Sequence, residues 1–222
     1  MKLNRAYESP SELPAVIPVF PLAGALLLPR RPLQLTIFEP RYLAMLDDAL
    51  SGERLIGMIQ PSAGEDASDV KPDLYPVGCA GRIVQYAETG DGRCLVTMTG
   101  VARFRLIGEA LAMTPYRQAQ VDFSDFAADF KEGAGEGAVD RTGLLTALQQ
   151  FAEANQFKVD WGDIKKASNE ALVNGLAMMS PYGAKEKQAL LEAADLKARA
   201  DVLVALAEME LATTGESGGT LQ

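Results

Sequence analysis

The chain contains no histidine and only two cysteines, Cys79 and Cys94. Ser-His-Asp and Cys-His catalysis are therefore excluded, together with the commonest metal ligand. Two cysteines so far apart in sequence do not make a zinc site. No Gly-Lys dipeptide occurs, so no phosphate-binding P-loop can be written. Gly133, Gly135 and Gly137 follow no strand and open no apolar helix at the offset of a dinucleotide fingerprint. Carboxylates are plentiful, but nothing in their spacing singles out a pair at catalytic distance. The residues predict no catalytic centre, no metal and no cofactor.

What remains is chemistry of recognition. Phe38-Glu39-Pro40-Arg41-Tyr42 mixes aromatic and charged side chains at a strand-to-helix junction. An architectural account covers the same residues. Phe38 closes a strand, Glu39 sits where a helix start favours negative charge, and Pro40 fixes the first turn. Arg41 and Tyr42 then tie helix to sheet. Arg103 falls on the polar face of its strand, where Glu39 is a candidate partner. Phe20-Pro21-Leu22 and Leu26-Leu27-Leu28 read as core and edge strand before they read as a peptide groove.

The elements that position these residues change character along the chain. Residues 16–20, 33–38 and 55–59 are short β-type runs, and Pro40 opens a helix with Leu43, Leu46 and Leu50 at helical spacing. From Cys94 to Leu106 every even position is small or apolar, while Thr97, Thr99, Arg103 and Arg105 occupy odd ones. That alternation puts one face on a core. Gly100 within it suggests a bulge. A turn at Gly90-Asp91-Gly92 would set Cys94 opposite residue 87, ~26 Å along the strand from Cys79, which is beyond disulfide reach. Both thiols are then expected to be buried and reduced. One more strand is expected near 116–123. Acidic residues interleaved with glycine over 124–140 read as a flexible connector. Helical patterns follow, capped by Ser168 and Asp195.

Hydrophobic residues make up 48% of the chain and charged residues 23%, the balance of a globular protein. The net charge is −9, and no basic stripe offsets it, which argues against nucleic-acid binding. No run is long enough for a membrane span, and residues 1–14 have no signal-peptide core. A cytoplasmic location is expected.

Ile17-Pro18-Val19-Phe20-Pro21-Leu22, Leu28-Pro29 and Leu35-Thr36-Ile37-Phe38-Glu39-Pro40-Arg41-Tyr42 together resemble the opening of the LON N-terminal, or LON substrate-binding, domain. The likeness continues through Val77-Gly78-Cys79-Ala80, Asp91-Gly92-Arg93 and Thr99-Gly100-Val101-Ala102-Arg103-Phe104-Arg105. It ends at Lys185-Glu186-Lys187-Gln188-Ala189-Leu190-Leu191-Glu192. The resemblance implies an α+β chain: an N-terminal PUA-like β-pseudobarrel with a short helix, then a C-terminal helical bundle. On that pattern residues 1–13 are a tail, 14–123 the β-rich part, 124–140 the connector, 141–212 the helical part and 213–222 a disordered tail. Phe20, Pro21, Pro29, Phe38, Glu39, Arg41, Tyr42, Arg103 and Phe104 are its motif candidates for binding or for architecture.

The resemblance also implies a function. In Lon protease this domain precedes an ATPase and a Ser-Lys peptidase and helps to capture unfolded substrates. Pro61-Ser62-Ala63-Gly64 repeats the letters around that peptidase's serine. The lysine it would need falls roughly forty residues later, where this chain has Arg103 and Arg105, and arginine keeps its proton. Ser62 therefore reads as a loop residue. The expectation is a non-enzymatic module that binds unfolded or partner polypeptide, neither nucleic acid nor membrane, with no cofactor. The alternative is a PUA-like small-ligand binder or, less favoured by the charge, an RNA binder.

Overall fold

A computed structural model describes residues 6–62, 71–155 and 161–217. The chain divides into two compact units, Met1–Glu132 with Tyr182–Leu191, and Gly133–Pro181 with Glu192–Gln222. The fold class is α+β.

The first unit is built on a six-stranded sheet. Its strands are β1 (Val16–Pro21), β2 (Pro32–Ile37), β3 (Leu55–Ile59), β4 (Val77–Glu88), β5 (Cys94–Glu109) and β6 (Gln118–Asp122). The alternating run is β5, and all its even positions from Cys94 to Phe104 are buried. The β4–β5 turn lies at Gly90-Asp91-Gly92, with Cys94 opposite Glu88 and Cys79 opposite Arg103. Both cysteines are buried thiols, not joined to one another.

The strand order is β2-β5-β4-β3-β1-β6, and β6 also pairs with β5. Strands β5, β4, β3, β1 and β6 thus close a ring, with β2 attached to the first half of β5. Among the named strands, β1 and β3 pair in parallel and the other pairs are antiparallel. Closure requires the long β5 to bend, and the register slips where Ala80 faces Ala102 but Gly81 faces Gly100. The backbone at Leu28 packs directly on this bulge, because a Cβ at Gly100 would lie 2.1 Å from the Leu28 carbonyl oxygen. Arg30 N–H donates to Gly100 O at 2.8 Å, and Gly100 N–H donates to Arg31 O at 3.0 Å. Inside the ring, Ile17, Val19, Leu55, Ile59, Val121 and Phe123 gather about the fully buried Phe104. Gly78 leaves room for that ring, since a Cβ there would sit 2.4 Å from it.

Helix α1 (Pro40–Ser51) buries Tyr42, Met45, Leu46 and Ala49. Its spacing was legible; the partners of its first turn were not, as described below. The segment before β1 is folded as well. Pro10–Glu12 form a 3₁₀ turn, Leu13 is buried, and the Arg82 guanidinium lies 5.4 Å from the Tyr7 ring centre.

The stretch read as a flexible connector is ordered. Ser124–Phe130 is a 3₁₀ segment that buries Phe126 and Asp129, and Glu136–Ala138 is a second such turn. Several of its acidic side chains meet donors. Asp129 takes Arg103, Asp125 takes Arg105, and Glu136 accepts the Glu170 N–H at 2.8 Å.

The second unit contains α2 (Arg141–Ala154), α3 (Trp161–Lys166), α4 (Asn169–Met179) and α6 (Leu196–Ser217). Asp140 caps α2 through Gly143 N, and Ser168 caps α4 through Ala171 N. Asn174 Oδ1 accepts from Arg199 at 2.8 Å in its interior. Helix α6 continues to Ser217, past the point where glycines suggested a tail; residues 218–222 lie outside the described residues.

Helix α5 (Ala184–Glu192) falls, as far as Leu191, within the first unit rather than with the other late helices. Its Gln188, Leu190 and Leu191 are buried. Gln60 Nε2 donates to Ala184 O at 3.0 Å and to Gln188 Oε1 at 3.1 Å, while Gln188 Nε2 donates to Val77 O at 3.1 Å. Lys187 Nζ donates to Gly24 O at 2.9 Å.

Candidate functional site

Helix α1 and the β5–β6 connection flank an open cavity of about 460 Å³ in the first unit. The aromatic side of this cavity comes from residues the sequence singled out. Tyr42 lines it and packs against Phe20 with the rings tilted by 45° and their centres 4.2 Å apart, and Pro21 lines it as well. The Arg41 guanidinium lies 4.7 Å over the Tyr42 ring and is held by Glu39, Nη2 to Oε2 at 2.8 Å. Burial raises the Tyr42 phenol above its ordinary pKa, and the Arg41 charge opposes that shift.

The opposite wall is the connection itself. Tyr116 Oη donates to Asp48 Oδ2 of α1 at 2.6 Å, tying the two walls together. Burial and then the Asp48 carboxylate push the Tyr116 pKa up to about 12, so the phenol remains a donor at neutral pH. Arg117 donates from Nη1 to Pro72 O at 2.7 Å and from Nη2 to Glu109 Oε1. Lys71 reaches the other oxygen of Glu109 at 2.9 Å. Burial alone would raise the Glu109 carboxyl, but hydrogen bonds to Lys71 and Arg117 outweigh it and hold the group below its usual range. Leu111 and Met113, between the strands, are fully exposed.

The motif residues therefore separate into three places. Pro21, Arg41 and Tyr42 line the cavity, with Phe20 against Tyr42 and Glu39 against Arg41. Phe38 is 60% exposed, with the Arg93 guanidinium 6.0 Å from its ring. Pro29, Arg103 and Phe104 serve the interior of the first unit. Arg103 does not meet Glu39. It is 3% exposed and forms a two-pronged pair with Asp129, donates to Leu191 O at 3.2 Å, and lies 4.5 Å over the Phe126 ring. Glu39 is instead engaged by its near neighbour Arg41. Lys71, Glu109, Leu111, Met113, Tyr116 and Arg117 were not singled out in sequence. The apolar residues Leu111 and Met113, close together just before Pro115, were the available signal.

Ser62 is exposed, and its backbone N–H donates to Asp73 O at 2.8 Å; Ala63 and Gly64 lie outside the described residues. Among the described residues no group of three or more cysteines and carboxylates is placed to hold a metal, and no helix is long and apolar enough to cross a membrane.

The family model of the ATP-dependent protease La (LON) substrate-binding domain matches residues 16–208. The chain belongs to that family. Relatives of this Lon substrate-binding domain chain include Lon protease 2 of Myxococcus xanthus, 27% identical over 204 residues, 88% of this chain and 24% of that protein. Another is the Lon protease of Desulfosudis oleivorans, 26% identical over 88% of this chain and 24% of that protein. The chain thus spans about a quarter of the length of the curated relatives it matches. Among solved structures, the Lon N-terminal domain protein from Xanthomonas campestris aligns with a TM-score of 0.60 at 20% identity, over 86% of this chain and 97% of that one. The N-terminal domain of Mycobacterium avium complex Lon protease aligns at 0.64 and 18%, over 87% and 98%. The fold is that of the Lon N-terminal domain.

Proposed function

We propose that this Lon substrate-binding domain chain is a non-catalytic recognition module that holds unfolded or partner polypeptide in the cavity beside α1. The observation that carries the reading is a cavity lined by Tyr42, Pro21 and the fully exposed Leu111, with the equally exposed Met113 two residues further along the same loop. Large apolar side chains set around a concavity mark binding surfaces. The closed ring of strands supports a PUA-like pseudobarrel as the rigid mount for that surface. The buried thiols support action in the cytoplasm, and the net charge of −9 argues against nucleic acid as the partner.

Binding of labelled unfolded model proteins, read by fluorescence anisotropy, tests the proposal. Saturation near micromolar concentration is expected, about −8 kcal/mol, with client recovered intact on gels. No binding at ~100 μM, far above such a constant, overturns it. In that case a small ligand becomes the favoured occupant, because a cavity of about 460 Å³ also suits one. Cleaved client would overturn the non-catalytic part, and Ser62→Ala would then identify or clear the serine.

A further inference from the structure

The polar part of the cavity wall holds more donors than acceptors. Arg41, Lys71 and Arg117 line it, with Glu109 the one carboxylate among the described lining residues. Lysine and arginine side chains only donate. Both oxygens of Glu109 are already engaged, Oε1 by Arg117 and Oε2 by Lys71. Glu39, next to the lining, is engaged by Arg41. The described lining thus carries three cations and one carboxylate on a chain whose net charge is −9. Among the described residues, buried Arg117 Nε meets no hydrogen-bond acceptor. The Lys71 side chain is 67% exposed and that of Arg41 41%, so both heads are open to an incoming group. The apolar surface of Leu111 and Pro115 belongs to the same lining.

We infer that the cavity selects extended polypeptide segments in which an apolar side chain stands beside an acidic one. The inference rests on reading the cavity as the polypeptide site. The apolar residue covers Leu111 and Pro115, and the carboxylate takes further N–H donors of Arg41 and Lys71 beside those given to Glu39 and Glu109. A charge-assisted hydrogen bond discriminates more sharply than a neutral one, and an open site keeps the gain moderate. The chain's overall negative charge acts in the opposite direction. Without a local cationic site, basic peptides would bind this protein best.

Labelled peptides alternating leucine with aspartate, glutamine or lysine separate these cases by anisotropy. The aspartate series is expected to bind about tenfold more tightly than the lysine series. That ratio should shrink several-fold between ~50 and ~300 mM salt. The double variant Arg41→Gln/Lys71→Gln should reduce the ratio by about threefold or more. Lys71→Gln alone repeats the test with a side chain whose loss leaves the fold intact. Arg105→Gln, which removes an exposed partner of Asp125 outside the cavity, should leave the ratio unchanged. If all series bind with lysine equal to or ahead of aspartate, charge selection is overturned and the polypeptide site stands. If none of the three binds, the reading of the cavity itself falls.

Discussion

Arg103 and Asp129 form a buried two-pronged ion pair, Nε to Oδ2 and Nη2 to Oδ1 both at 2.9 Å, and the Arg103 backbone N–H donates to the same carboxylate at 2.9 Å. The pair fastens the 3₁₀ segment 124–130 to β5, and through Leu191 O it reaches the end of α5. Removing one partner strands a buried charge, at a cost of about 3–5 kcal/mol. Arg103→Ala and Asp129→Ala should each lower the melting temperature by several degrees. Replacing both with apolar residues of similar volume should cost less than the two single losses added together. Additive losses in that double-mutant cycle would mean that the two side chains do not act as a pair.

Gln60 makes the corresponding attachment for α5. Its Oε1 accepts from Gly24 N at 2.9 Å while Nε2 serves Ala184 and Gln188. Gln60→Leu keeps the volume but leaves buried partners unsatisfied, at roughly 1–3 kcal/mol. Amide exchange should then accelerate in residues 184–191 more than in β5. Uniform acceleration across the first unit would mean that α5 opens only with global unfolding.

How far these features were legible follows from the range of the interactions. The alternation of β5, the Gly90-Asp91-Gly92 turn, the bulge at Gly100 and the helix starting at Pro40 are local patterns, readable from neighbours in the chain. The partner of Arg103 is 26 residues away and that of Gln60 is 128 away. Nothing in the periodicity separates Asp129 from the other acids of an apparently flexible stretch. Half of the cavity was legible through Arg41 and Tyr42. Its other half was hidden because Arg117 and Glu109 acquire meaning only when the ends of β5 and β6 are brought together.

The ordering of residues 133–136 should depend on pH. Acceptance of the Glu170 N–H, then a hydrogen bond from Ser168, lowers the Glu136 carboxyl pKa below its ordinary value of 4.5. A depressed carboxylate contributes stability that is present above its unfolded pKa and is lost as pH falls through the folded one. The contribution is therefore complete at neutral pH and declines below about pH 4.5. The Glu170 amide resonance should report this titration, and Glu136→Gln should remove it. A Glu170 amide shift unaffected by that substitution would show that the cap does not hold the turn.

Leu111 and Met113 offer the sharpest separation of binding from folding. Both are fully exposed, so their removal takes nothing from the core, and surface substitutions of this kind stay within about 0.5 kcal/mol of stability. Burying one such side chain against a client is worth about 1.5–3 kcal/mol. Even half of that from each residue corresponds to a loss of tenfold or more in affinity. Leu111→Ser/Met113→Ser should therefore weaken capture of unfolded polypeptide by at least about tenfold, with melting temperature and far-UV circular dichroism unchanged. Val84→Ser/Leu95→Ser, which trims two exposed side chains on the β4–β5 hairpin outside the cavity, is the matched control and should bind as the parent does. Loss of binding in the hairpin variant alone would move the polypeptide surface to that hairpin. Equal loss in both would leave apolar exposure, and not this cavity, as the property that clients detect.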